Sequence, residues 1–123
     1  MKSFDLNVKV DISGKDYSLI ELSGFLDAHT VNSFETRLEE ILQDGPGRVV
    51  IDLKELNYIS SAGIGAMMAL TQRLRRENGD LVLLRPNEKV FKILDLLGFT
   101  KIFNVATDDE EVAKYLGNPG SSR

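Results

Sequence analysis

Apolar residues alternate with mostly polar ones from Phe4 through Leu6, Val8 and Val10 to Ile12, the period-2 pattern of a half-buried strand. Ser13-Gly14 reads as a turn and residues 17–23, from Tyr17 to Ser23, as a second strand, so the chain opens with an antiparallel hairpin. After Gly24-Phe25-Leu26-Asp27 the period changes. Val31, Phe34, Leu38, Ile41 and Leu42 return at helical spacing while Glu35, Arg37, Glu39 and Glu40 face water. Thr30 is placed to cap this helix and Gly45-Pro46 to end it. Residues 48–53 (RVVIDL) form the most continuously apolar short run and are expected as a central strand covered on both faces.

Beyond Asn57-Tyr58-Ile59 and Ser60-Ser61, the apolar run over 62–74 predicts a helix ending near Asn78-Gly79. Residues 81–84 read as a fourth strand. Pro86-Asn87 opens a third helix, with Val90, Phe91, Leu94 and Leu97 inward and Gly98 as its stop. Ile102-Phe103 is expected as a short edge strand. Thr107-Asp108-Asp109-Glu110 has capping-box spacing and starts a last helix with Val112, Tyr115 and Leu116 inward. The order β-β-α-β-α-β-α-(β)-α predicts an α/β fold, a mixed β-sheet of four to five strands with about four helices packed on it. Residues 48–84 are expected as one right-handed βαβ unit.

A length of 123 residues fits one domain, expected over residues 1–116, with residues 117–123 (GNPGSSR) a disordered tail. The chain has no cysteine, which excludes disulfides, thiolate metal sites and cysteine nucleophiles. Its net charge of −4 argues against a nucleic-acid partner, which asks for a basic footprint. No apolar run reaches membrane-spanning length and the first residues do not read as a signal peptide, so no membrane association and a cytoplasmic location are expected. Arg73, Arg75 and Arg76 form a basic cluster that reads as a solvated helix face, and at least one of Met67 and Met68 reads as core.

The unusual segment runs from Tyr58 through Ser60-Ser61-Ala62-Gly63-Ile64-Gly65 to Met68. Two glycines fall in the first turn of a predicted helix, where each costs roughly 1 kcal/mol relative to alanine. Close approach of another surface to a bare Cα is one compensation. Ser61 stands where an N-cap is wanted, and a phosphate there would meet the positive end of the helix. The alternative reading is that Ser60 and Ser61 merely cap a helix whose glycines pack on the sheet. Gly63-x-Gly65 lacks the third glycine of a dinucleotide fingerprint, with Met68 in its place, and no G-K-[ST] occurs. Asp52 lacks the acidic pair that a phosphoacceptor receiver would need, and His29 reads as a loop residue. Nothing is placed by spacing to activate Ser61 as a nucleophile, so no catalytic residue, cofactor or metal site is expected.

Ser60-Ser61-Ala62-Gly63-Ile64-Gly65, preceded by Val49-Val50-Ile51-Asp52-Leu53, resembles the hallmark of STAS domains and, within them, of the stand-alone anti-sigma factor antagonists. Gly24-Phe25-Leu26-Asp27 followed by His29-Thr30 matches the family's other signature. The similarity extends through Asn78-Gly79 and Lys92-Ile93-Leu94-Asp95-Leu96-Leu97-Gly98-Phe99, covering about residues 4 to 116. The resemblance implies the STAS fold and phosphorylation at Ser61, with Ser60 as second choice. It further implies that the unphosphorylated form binds an anti-sigma factor that is also a serine protein kinase, and so frees a sigma factor. A serine phosphatase would restore that form. Gly24, Asp27, His29, Thr30, Ser60, Ser61, Ala62, Gly63, Ile64 and Gly65 are the partner-binding positions it suggests. One departure stands out: the family's aspartate before the phosphorylated serine is Ser60 here, and Ala62 follows. The other role the resemblance allows is a scaffold in a stress-signalling complex, or an accessory subunit of a lipid transporter, without a phosphorylation switch.

Overall fold

A computed structural model describes residues 5–11, 16–44 and 47–116. The strands are β1 (Leu6–Asp11), β2 (Ser18–Leu26), β3 (Arg48–Ile59), β4 (Asp80–Leu84) and β5 (Asn104–Ala106). The α-helices are α1 (Val31–Asp44), α2 (Ser61–Arg76), α3 (Glu88–Leu96) and α4 (Asp109–Leu116), with a 3-10 turn at Phe99–Lys101. All five strands join one sheet in the order β1-β2-β3-β4-β5. β1 runs antiparallel to β2, and the other pairings are parallel, each made through a helical crossover.

The period-2 pattern assigns the faces. Ile20, Leu22, Val49, Ile51, Leu53, Leu81 and Leu83 point to one face, where they pack with Phe34 and Leu38 of α1, Met67 and Leu74 of α2, and Val90 and Leu94 of α3. Their neighbours Val50, Val82, Leu84 and Ala106 point to the other, where Val112 and Leu116 of α4 cover them. Val49 to Leu53 is therefore buried on both sides, as the run of apolar residues predicts for a central strand.

Several elements depart from their sequence patterns. β2 continues three residues past Ser23: Gly24 takes φ +100 at an irregularity in the β2–β3 pairing, and beyond it Phe25 and Leu26 still pair with Tyr58 and Ile59. A side chain at Gly24 would run into the Asp5 carbonyl, whose oxygen accepts the Phe25 amide at 2.9 Å. β3 also runs on to Ile59, well beyond Leu53. The edge strand is Asn104–Ala106 and not Ile102-Phe103, since the 3-10 turn occupies the preceding residues and Phe103 is needed in the core.

Phe91 (40% exposed), Leu97 (59%) and Tyr115 (40%) face outward against expectation. Val90 and Leu94 on α3, and Val112 and Leu116 on α4, already fill the narrow stripe that each short helix presents to the sheet. The last helix is capped one residue later than the sequence suggests. Asp108 Oδ1 accepts the Glu111 amide at 3.0 Å, and Glu111 Oε1 accepts the Thr107 amide at 2.7 Å. Gly98 ends α3 at φ +80, as expected. The expected turn at Ser13-Gly14, the stop at Gly45-Pro46, the ends of the first strand at Phe4 and Ile12, and the tail at 117–123 lie outside the described residues.

Candidate functional site

The parallel pairing of β2 with β3 sets Leu26 beside Ile59, so both strands finish at the same end of the sheet. Two segments leave from there: the loop into α1, and α2 itself. The Ser60 amide donates to the Leu26 carbonyl at 2.9 Å and stitches the two together. That bond keeps Ser60 extended (φ −96, ψ 174), and its Oγ accepts the Gly63 amide at 3.3 Å. Ser60 is thus the N-cap of α2, and the expectation that Ser61 caps the helix is corrected. Serine and aspartate cap helices about equally well. Ser60 therefore keeps the capping capacity that an aspartate would have at this place.

Freed of that duty, Ser61 occupies the first helical position. It is exposed, and among the described residues its hydroxyl makes no hydrogen bond. No acid, imidazole or amine is bonded to it there, so nothing in the described structure activates this oxygen as a nucleophile. Groups from outside can reach it. A negative group on it would lie beside the unpaired amides of the first helical turn.

The two glycines divide. Gly63 is buried, and a Cβ there would stand 2.8 Å from Leu26 Cγ and 3.0 Å from both Ile59 Cγ1 and the Leu26 carbonyl oxygen. The surface that approaches its Cα closely belongs to this chain. Gly65 is exposed, and among the described residues a Cβ on it would meet nothing within 4 Å. Ala62 is half-buried, and Ile64 is core at 3% exposure.

The loop into α1 is held by its own polar groups. Asp27 Oδ1 accepts the amides of His29 at 2.9 Å and Thr30 at 3.2 Å. Thr30 Oγ1 donates to the Phe25 carbonyl at 2.8 Å and accepts the Asp27 amide at 3.0 Å. Thr30 therefore ties the loop, and this corrects its expected role as the side-chain cap of α1. No hydrogen bond joins Asp27 to Ser61 among the described residues. His29 is exposed at the loop's outer side, while Gly24, Asp27 and Thr30 are half-buried. Of the ten predicted positions, Ser61, Gly65 and His29 are thus the accessible ones, while Gly63 and Ile64 lie inside.

Sequence reasoning missed a polar site on the opposite sheet face. Asp52 is buried, with Oδ2 accepting from Arg85 Nη2 at 2.6 Å and Oδ1 accepting the Lys54 amide at 3.0 Å. That hydrogen bond, then the charge of the carboxylate, raises the Arg85 pKa above its already high ordinary value. Arg85 adopts φ +52, rare for a side-chain-bearing residue, and its amide donates to Ala106 at 2.7 Å. The pair borders a shallow cavity of about 320 Å³ shared with Lys9, Glu21, Ser23 and Lys54. The only sequence signal was the lone carboxylate in an apolar strand. No helix of the described structure is long and apolar enough to cross a membrane. The described residues include no group of three or more His, Cys, Asp or Glu side chains able to hold a metal.

Comparison with known proteins gives a consistent picture. The sequence profile described as the STAS domain matches residues 7–112. The Bordetella bronchiseptica protein BtrV, which carries the name of an anti-sigma factor antagonist, is 35% identical over 92 residues, 75% of this chain and 79% of that protein. The anti-sigma-B factor antagonist of Listeria monocytogenes is 27% identical over 110 residues, 87% of this chain and 96% of its own. The anti-sigma factor antagonist SpoIIAA, solved in its unphosphorylated form, superposes with a TM-score of 0.72 at 21% identity, covering 91% of this chain and 100% of that one. A structure of SpoIIAA in the phosphorylated form gives 0.65 at 20% identity over 89% and 99%.

Proposed function

Because this chain belongs to the STAS domain family, among the anti-sigma factor antagonists, we propose that it works as a phosphorylation-controlled binding protein and not as an enzyme. Unphosphorylated, it holds an anti-sigma factor that is also a serine kinase, and a sigma factor is released. Phosphorylation of Ser61 breaks the complex and a serine phosphatase restores it, all within the cytoplasm.

The observation that carries this reading is the division of labour between the two serines. Ser60 caps α2, while Ser61 presents an exposed hydroxyl one residue on, unbonded among the described residues. Modification of Ser61 leaves the cap intact. It adds a charge of roughly −2 beside the positive end of a helix, which the free domain tolerates. In a complex the same charge must be desolvated or must push the surfaces apart. A solved phosphorylated form of SpoIIAA supports the idea that this fold accommodates a phosphate.

A pull-down from the source cell with mass spectrometry tests the partners. Incubation with the recovered kinase and ATP, followed by phosphopeptide mapping, tests the site. Phosphate on Ser61 and loss of the kinase from the phosphorylated protein are expected. Phosphate on Ser60 alone, or no phosphate from an active kinase, overturns the switch. The latter result would favour a constitutive subunit of a larger assembly, the reading to which the serine in place of the family's aspartate lends itself.

A further inference from the structure

α1 and α2 leave a furrow between them with a cavity of about 250 Å³. Its floor is apolar, made by Leu38 and Leu42 of α1 and by Ala66 and Leu70 of α2. Exposed Ala69 forms part of the α2 wall. The rim is charged. Glu39 reaches across to Arg73 at 2.6 Å, so these two cancel. Glu35 is exposed and makes no ion pair among the described residues, which leaves the rim net negative on a chain that itself carries −4.

We propose that this furrow seats an amphipathic helix of the anti-sigma factor, its apolar edge on the leucine floor and a cationic side chain set against Glu35. The inference rests on the binding role proposed above and names the chemistry of that partner. An apolar furrow with a charged rim suits the helix-in-groove mode of recognition, in which apolar anchors enter and charges fix the register. The furrow also runs beside the switch. Ser61, Gly65 and Ala69 stand at i, i+4 and i+8 on one face of α2, so a helix lying in the furrow passes close to the modified hydroxyl. Helices pack at 8–10 Å between axes depending on the side chains at the contact, and a methyl group at Ala69 admits the short end of that range. The negative rim decides the sign of the partner's charge. An acidic helix would be repelled by this rim.

The test uses the unphosphorylated protein and the anti-sigma factor identified by the pull-down, titrated calorimetrically at low and high salt. Ala69→Phe should weaken binding about tenfold or more by filling the furrow. Glu35→Lys should weaken it about tenfold at low salt, with Glu35→Gln between the two and the differences shrinking as salt rises. Both positions are exposed, so thermal melts should stay near the wild type, and the charge series keeps the test decisive should Ala69→Phe misfold. Wild-type affinity in both the Ala69 and Glu35 variants, with Ser61→Asp still weakening the complex, removes the furrow and leaves the switch standing. An unphosphorylated wild-type protein that does not bind the anti-sigma factor overturns the switch, and the furrow's occupant with it.

Discussion

The Ser60 amide donates to the Leu26 carbonyl at 2.9 Å, so the residue that starts α2 is fixed by the end of β2. This one bond decides which of two adjacent serines is structural and which is free. Ser60→Ala should destabilise the domain by about 1 kcal/mol through loss of the cap, whereas Ser60→Asp should be close to neutral. Ser61→Ala should change stability by less than about 0.5 kcal/mol, as an exposed position without partners among the described residues does. Urea denaturation of the three variants checks the order, and a Ser61→Ala protein as unstable as Ser60→Ala contradicts it.

The two glycines near the start of α2 should respond oppositely to alanine. At Gly65, where a Cβ meets nothing within 4 Å among the described residues, Gly65→Ala should stabilise by roughly 0.5–1 kcal/mol. At Gly63 the methyl would crowd Leu26 and Ile59, and overpacking of about 1–3 kcal/mol should outweigh the gain in helix propensity. Paired thermal melts show whether the signs differ. Partner titration of Gly65 variants, and not of Gly63 variants, then reports on the interface.

Phosphorylation of Ser61 should act on the complex and not on the fold. Negative charge at a helix N-terminus is favourable by about 0.3–1 kcal/mol at an exposed site, so the free phosphoprotein should melt within a few degrees of the unmodified one. A desolvated phosphate without paired cations costs several kcal/mol, and even about 3 kcal/mol weakens binding roughly a hundredfold. Ser61→Asp should reproduce part of this loss and Ser61→Ala should bind normally. A phosphoprotein that melts far lower, or binds as tightly as before, is incompatible with the mechanism.

Ser18 begins β2 fully buried, and its hydroxyl has no hydrogen-bond partner among the described residues. An unmet buried hydroxyl costs about 1–3 kcal/mol. Ser18→Ala should therefore be neutral or stabilising by up to about 1 kcal/mol, measured by denaturant midpoint. A clear destabilisation would mean that the hydroxyl is satisfied in solution.

Arg85→Ala should destabilise the protein although Arg85 is half-exposed, because it strands the buried Asp52 carboxylate. Solvent around the guanidinium limits the effect to about 1–2 kcal/mol, below that of a fully buried pair. Asp52→Asn with Arg85→Ala should recover part of the loss in a double-mutant cycle, while simple additivity would show that the two do not act together.

Much of this protein is written locally. Period-2 and period-3.6 patterns, the asparagine before α3 whose Oδ1 accepts the Val90 amide at 3.0 Å, and Gly98 in its left-handed turn all depend on residues a few positions apart. The element order, the central strand and the position of the serine pair were therefore readable without a structure. The sequence could not say which serine caps α2, because that depends on how far β3 runs and on the carbonyl of Leu26 across the sheet. It could not separate Gly63 from Gly65, since a bare Cα looks the same whether its neighbour is another strand or solvent. Nor could it turn Phe91 and Leu97 outward or pair Asp52 with Arg85, 33 positions apart. Periodicity states that a helix has an apolar side; only docking onto the sheet selects which residues of that side are covered and which are left to meet another molecule.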